Sequence, residues 1–285
     1  MSTIFACIDG SSHASAVGDC ASWASLRLNR APVTFLHVQP KDPSAPTTNL
    51  SGNIGIGSQE QLLAQLVALD TQRNKIATEH GRLLLEAAQS RALKVGVVAN
   101  TLQRHGDLIP TLVDLQPNTR LLVMGRRGED NATVYEQLGS HVEQAIRALH
   151  CPILITQGKF SAPKKVMLAF DGSPTMRGAI SLLADSSLLN GLELHLVSVG
   201  NERQAQQEQL NWARTLLEDA EGEMRVYVHN LEGDAEQVLT AFIQQHKMDM
   251  LVMGAYGHSR IRRWLVGSIT TTMLRASKVP LLILR

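Results

Sequence analysis

Val166-Met-Leu-Ala-Phe-Asp171-Gly172-Ser173 is an apolar run that stops at aspartate, glycine and serine, and Ile4-Phe-Ala-Cys-Ile-Asp9-Gly10-Ser11 echoes it near the start of the chain. Such a run reads as a buried strand that delivers its chain into a turn and then a helix. The echo continues outward. Leu121-Leu-Val-Met-Gly125-Arg-Arg-Gly128 matches Leu251-Val-Met-Gly254-Ala-Tyr-Gly257, and Gly139-Ser140 matches Gly267-Ser268. Both halves close on an apolar strand opened by proline, Cys151-Pro152-Ile-Leu-Ile-Thr156 and Val279-Pro280-Leu-Leu-Ile-Leu284. Self-similarity at this distance marks a duplicated unit. Gln157-Gly-Lys-Phe-Ser-Ala-Pro163-Lys-Lys165 has the composition of a linker, so the predicted domains are 1–157 and 163–285.

In the second half, apolar runs predict strands near 165–170, 192–199, 224–229, 249–253 and 280–284, with helices at about 175–189, 202–220, 234–246 and 267–277. The first half predicts strands near 3–8, 33–38, 94–100, 120–124 and 152–156, with helices near 13–28, 58–91, 107–116 and 140–149. Strands that are apolar throughout and alternate with helices imply a parallel sheet covered on both faces, joined by right-handed crossovers. The expected fold is therefore α/β: two tandem Rossmann-like domains, each a five-stranded parallel sheet with helices on both faces.

Length and composition agree. The 285 residues, 44% hydrophobic and 19% charged, suit two ordinary globular domains and not a disordered chain. A formal net charge of +1 supplies no global field for nucleic acid or an acidic membrane. Three cysteines, Cys7, Cys20 and Cys151, make neither a disulfide framework nor a close C-x-x-C zinc pair, and are read as buried free thiols. No apolar run reaches the ~18 residues of a membrane span, and the expected compartment is the cytoplasm.

The halves differ in the middle. Asp9 to Gly125 is 116 positions whereas Asp171 to Gly254 is 83, which places an insertion at about 39–75. Much of it is the Pro/Gly/Ser/Asn-rich stretch 41–57. Such a loop serves as a mobile cover, a partner surface or a tolerated surface insertion.

In an open parallel sheet, ligands bind at the carboxyl ends of the strands where strand order reverses. Asp171 follows the first strand of its half and Gly254 follows the fourth, so both are expected to flank one crevice. Gly254 and Gly257, three apart, let backbone N–H groups approach a phosphate. Gly267-Ser268-Ile269-Thr270 then opens a helix, whose free amides and positive dipole end favour an anion. His258 is a candidate phosphate donor, and Arg260, Arg262 and Arg263 can neutralise phosphate charge. Plainer roles stand beside these: the glycines make a turn, Ser268 is an N-cap, Asp171 caps the next helix, and the arginines are solvated. His258 has no carboxylate or second histidine near it in sequence, so metal ligation is not expected there.

With those residues in view, both halves resemble universal stress protein domains, and the chain resembles a tandem two-domain member of that family. The most specific element is the family's nucleotide signature, G-x2-G-x9-G-[ST], which Gly254, Gly257, Gly267 and Ser268 meet in full. The resemblance implies that Asp171 reaches the adenosine moiety, that the backbone of Val199 contacts the base, and that Thr270 adds a phosphate hydroxyl. It also implies that the last strands of the two halves pair, making the chain an internal pseudo-dimer; dimerisation of whole chains is a further expectation.

The first half departs from the signature. Asp9, Val38, Gly125 and Gly128 are in place, but ten residues, not nine, precede Gly139-Ser140, and Val142 stands where the second half has Thr270. Glu129, Asp130 and Glu136 bring negative charge where the second half has arginines. Like charges disfavour a polyphosphate, more so in a partly dehydrated site. The first half is therefore expected to bind ATP weakly or not at all.

The expected function is a cytoplasmic stress-response protein that binds ATP or a related adenine nucleotide in its second domain, with Mg2+ accompanying the nucleotide, and acts as a nucleotide-dependent switch or sensor. Two other classes remain: a nucleotide-independent scaffold whose 39–57 loop and 58–91 helix meet a protein partner, and a slow ATPase. No catalytic residue stands out, since the chain lacks a G-x4-G-K-[ST] loop, a nucleophile elbow and a carboxylate pair at acid/base spacing. Neither nucleic acid nor membrane is an expected partner.

Overall fold

A computed structural model describes residues 2–40, 56–128, 140–200, 203–220, 224–255 and 268–285. The first half runs β1 (Thr3–Cys7), α1 (Ala14–Arg27), β2 (Val33–Gln39), α2 (Ile56–Lys94), β3 (Ala99–His105), α3 (Leu108–Leu115), β4 (Thr119–Gly125), α4 (Ser140–Ala148) and β5 (Ile153–Thr156). The second runs β6 (Lys165–Ala169), α5 (Pro174–Ala184), β7 (Glu193–Val199), α6 (Arg203–Glu218), β8 (Arg225–Leu231), α7 (Ala235–Gln245), β9 (Met250–Gly254), α8 (Ser268–Ala276) and β10 (Leu281–Leu284).

The strands form one ten-stranded sheet in the order β3-β2-β1-β4-β5-β10-β9-β6-β7-β8. Every pairing inside a half is parallel, and the halves meet through an antiparallel pairing of β5 with β10. The terminal apolar strands thus cover each other's edges, which removes two exposed rows of backbone donors and acceptors. Alternation across the pleat builds two core layers. Leu154, Leu282 and Leu284 join one face; Ile153, Ile155, Leu281 and Ile283 join the other. Each layer contains residues of both halves, so the junction is continuous hydrophobic core.

Two arginines fasten the junction reciprocally. Arg126, just past β4, donates to the carbonyls of Arg275 and Ser277 (3.2 Å to the latter) at the end of α8 in the other half. Arg285, just past β10, donates to Arg147 (2.6 Å) and Leu149 (2.8 Å) at the end of α4. Each guanidinium satisfies carbonyls that a helix C-terminus leaves without partners, and sits at the negative end of the helix dipole.

The third strand is displaced from its predicted position, forming at Ala99–His105 instead of 94–100. The apolar stretch Val95–Val98 misled the pattern. The helix continues to Lys94, and Gly96 takes φ +77 to turn the chain, leaving Val98 83% exposed. β3 itself is an edge strand with four of seven residues exposed, so it carries little apolar signal. The helix predicted at 175–189 is also shorter. It ends at Ala184, and Ser186 opens a separate 3-10 turn, Ser187–Leu189, by accepting from Leu188 N (3.3 Å). Of the three cysteines, Cys20 is buried while Cys7 and Cys151 are half-buried; all are free thiols.

Candidate functional site at the two strand-order reversals

Within each half the strand order reverses beside the first strand, between β1 and β4 and between β6 and β9. The carboxyl ends of these strands are where an open α/β sheet leaves a crevice.

In the second half, the chain leaving β6 turns at Asp171. Its Oδ1 accepts the N–H of Ser173 (3.0 Å), and Ser173 Oγ accepts from Met176 N (3.3 Å) to cap α5, whose first residue is Pro174. Gly172 takes φ +70 between them, a conformation that a Cβ disfavours. The cap residue is thus Ser173, and Asp171 shapes the turn that leads to it.

Across the crevice, Thr270 Oγ1 donates to the Gly254 carbonyl (3.0 Å) and is almost fully buried. That bond ties the first turn of α8 to the end of β9. Thr270, expected to reach phosphate, here gives its hydroxyl hydrogen to the backbone; the helix start and the strand end are the parts it brings together. Ile269 is 40% exposed beside it. Ser268 is the first residue of α8. Gly257, His258, Arg260 and Gly267 lie outside the described residues, as do Arg262 and Arg263.

Val199 ends β7 and is partly buried. Two glutamines of α6 close over this mouth. A Cβ placed on Gly172 would lie 1.7 Å from Gln209 Oε1, and one on Gly200 would lie 2.1 Å from Gln206 Nε2. Gln206 Oε1 is buried and without a hydrogen-bond partner among the described residues. A buried acceptor left in that state costs about 1–3 kcal/mol, which a ligand N–H would recover. Neither glutamine was legible beforehand, because the apolar pattern of α6 identifies its core face and not the side chains near its start.

In the first half, the corresponding crevice is a cleft of about 420 Å³ whose lining includes Asp9, His37, Val38, Asp107, Gly128 and His141. Asp9 repeats the turn of Asp171: its Oδ1 accepts from Ser11 N (3.1 Å). A Cβ on Gly128 would come 3.2 Å from Asp9 Oδ2, so these two predicted residues do converge. Gly125 is needed for another reason, since its Cβ would lie 2.8 Å from the His13 Cβ. His13 has its pKa lowered by burial first and by Arg127 second. His37, almost fully buried, holds its Nδ1 2.8 Å from the Ile8 carbonyl. Val142 is buried at the position corresponding to Thr270. Gly139 lies outside the described residues and Ser140 begins α4. His37 and His141 line this cleft without being marked by the repeat, since Ser198 and Ile269 stand at the corresponding positions, whereas Asp107 does repeat, as Asp234 after Gly233, each at the N-cap of its helix.

This geometry defines a class: a tandem, doubly wound α/β protein whose halves share one sheet, each with its own strand-order reversal. Comparison with known proteins places it further. The model of the universal stress protein family matches residues 1–157 and again 163–285. Universal stress protein Slr1230 of Synechocystis is 34% identical over 289 residues, covering 100% of both chains. A universal stress protein of Archaeoglobus fulgidus has the same fold, with a TM-score of 0.73 at 18% identity over 99% of this chain and 98% of its own. A universal stress protein solved in complex with cAMP aligns with 44% of this chain and 98% of its own, at 24% identity and a TM-score of 0.38. The chain belongs to the universal stress protein family.

Among the described residues, no helix is long and apolar enough to cross a membrane, and no cluster of His, Cys, Asp and Glu side chains has the arrangement of a metal site.

Proposed function

We propose that the second half binds ATP or a related adenine nucleotide, with Mg2+ on the polyphosphate, and that occupancy switches the shape or partners of a stress-response protein. The observation that carries this is the Thr270–Gly254 hydrogen bond, which sets the start of α8 against the end of β9 at the strand-order reversal. The intact spacing of Gly254, Gly257, Gly267 and Ser268 spans those two ends. Free amides at the start of α8 favour phosphate, and Gln206 Oε1 offers a buried acceptor to a base N–H near Val199. A nucleotide acts as a switch only by binding the two states with different affinity.

Mass spectrometry of the ligand released on denaturing the purified chain is the direct test, followed by calorimetric titration with Mg-ATP. Asp171→Ala and Gly257→Val are expected to weaken binding at least about tenfold, a loss of 1.4 kcal/mol, while Asp9→Ala leaves it unchanged. Unaltered affinity in both second-half variants overturns the assignment. Equal loss in Asp9→Ala moves the ligand to the first-half cleft.

A second reading has its own support. Val67, Leu69, Ile76 and Leu83 of α2 are 51–64% exposed, a density of bare apolar side chains that suits a protein partner. A nucleotide-independent scaffold would retain its partner in the Asp171→Ala variant and lose it when these four are changed to lysine.

A further inference from the structure

The antiparallel β5–β10 pairing relates the halves by a pseudo-two-fold. Leu154 lies opposite Leu282, and their neighbours Val123 in β4 and Val252 in β9 occupy equivalent positions. The correspondence extends to Thr156 with Leu284, Arg120 with Asp249 and, through the register of β1 and β6, Trp23 with Asp185.

The linker leaves β5 and runs along one side of this axis. Phe160 packs on Trp23 with ring centroids 5.8 Å apart, Pro163 is buried, and the N–H groups of Lys164 and Lys165 both donate to Asp249 Oδ2 at 2.9 Å. The linker therefore seals its track with two apolar anchors and a polar clamp.

Among the described residues the mirror track is open. It is a cleft of about 500 Å³ whose wall includes Leu121, Leu182, Leu183 and Leu284, with Arg120 and Asp185 exposed along it. Leu182 is 48% exposed. Its size falls in the range of ligand sites, and its apolar floor is the counterpart of a surface the protein covers with peptide elsewhere. Its polarity is reversed. Where the linker offers donors to Asp249, the open track presents the guanidinium of Arg120, which only donates, so an occupant must bring an acceptor. Where Phe160 meets Trp23, the open track presents the Asp185 carboxylate beside Leu182, which favours a cation next to an apolar anchor.

We propose that this open track binds an extended peptide of another protein, with a cationic residue and an aromatic anchor toward Asp185 and Leu182, and a carboxylate toward Arg120. Binding follows the linker's own geometry: anchors spaced as Phe160 and Pro163, then the acidic group directly after the second anchor, at the place Lys164 holds in the linker. Electrostatic complementarity sets direction and specificity, and the apolar anchors set most of the affinity.

The test uses the full chain and two synthetic hexapeptides, KFSAPE and KFSAPK, titrated by calorimetry. KFSAPE is expected to bind saturably with a Kd between about 10 μM and 1 mM, the range a short flexible peptide reaches after its ordering cost. KFSAPK is expected to bind roughly five- to tenfold more weakly. Arg120→Glu should reverse that preference, and Leu182→Lys should abolish binding of both; both positions are exposed, so both variants are expected to keep the parent circular dichroism spectrum. Absence of saturable KFSAPE binding below 1 mM, equal binding of the two peptides, or indifference to Leu182→Lys overturns the proposal. A concentration-dependent dimer that Leu182→Lys dissolves would also overturn it, by giving the track to a second copy of the chain.

Discussion

Gly81→Ala sets two known effects against each other at one position of α2. In an unconstrained helix the change stabilises by about 0.8–1.0 kcal/mol, because glycine loses more backbone entropy and alanine is the best helix former. Here the added Cβ would lie 2.5 Å from His37 Cδ2 and 2.5 Å from Gln103 Nε2, roughly 0.9 Å inside ordinary contact. His37 cannot retreat freely, since its ring is held by the 2.8 Å hydrogen bond to the Ile8 carbonyl. Gln103 can move only by giving up its 3.1 Å bond to Thr78 O. Overpacking costs about 1–3 kcal/mol, and a strained or lost hydrogen bond adds about 1 kcal/mol. The clash wins, with a net destabilisation of about 1–3 kcal/mol. At about 2–4 °C per kcal/mol for chains of this order of size, the melting temperature should fall by roughly 2–12 °C. The control is Gly178→Ala in α5, where a Cβ meets nothing within 4 Å, and which should gain up to about 1 kcal/mol. Gln103→Ala added to Gly81→Ala should recover part of the loss. Thermal melting monitored by circular dichroism measures all four proteins. A Gly81→Ala melting temperature at or above that of the parent would refute the close packing of α2 on β2 and β3.

Acidification should loosen α7 from the sheet. His195 of β7 and His229 of β8 stack with centroids 5.1 Å apart and share a 3.0 Å Nδ1–Nε2 hydrogen bond, with His246 and Phe242 at the end of α7 packed on them and Glu193 on His195. The His229 pKa is lowered by burial first, and then by His195 and His246. A folded-state pKa below the unfolded value makes stability complete above about pH 6.5 and lost as pH falls toward the folded value. Urea midpoints from pH 8 to 5 should therefore fall, and less so in His229→Gln; an equal slope in both refutes the role of this ring. Thr270→Val should cost about 1–3 kcal/mol by stranding the Gly254 carbonyl, and Thr270→Ser should restore most of it; an unchanged urea midpoint in the valine variant rejects the tie between α8 and β9. Thiol chemistry gives a third check. Burial, with Asp9 adding to it, pushes the Cys7 thiol up to about 12, and burial pushes Cys151 up to about 11. Both should react with a thiolate-selective reagent at pH 7.5 at least tenfold more slowly than a free cysteine, and burst labelling of either in the native chain would contradict their placement.

Much of the fold is legible because burial on both faces writes itself directly into composition. β1, β4, β6 and β9 are central strands and read as largely continuous apolar runs. The edge strand β3 fails for the same reason: with most of its residues facing solvent, the apolar signal fell on the turn before it. At the candidate site, Asp9, Asp171, Gly128, Gly254 and Thr270 are visible as repeated or signature positions, and the structure brings Asp9 to Gly128 and Thr270 to Gly254. The covering glutamines of α6 and the histidines of the first-half cleft were not visible, because helix patterning encodes which face is buried and not where a polar side chain arrives.

The order of residues along the chain thus determined the duplication, the α/β class, the ends of the central strands and the glycine spacing, all of which depend on local backbone preference and on apolar period. The family resemblance already implied that the last strands of the halves pair, and the structure shows it as β5 against β10; only the tertiary structure decided that Arg126 and Arg285 cap each other's last helix and that the linker fills one of two related tracks. These contacts join residues more than a hundred positions apart, and each depends on the distance and direction between groups that no local pattern records.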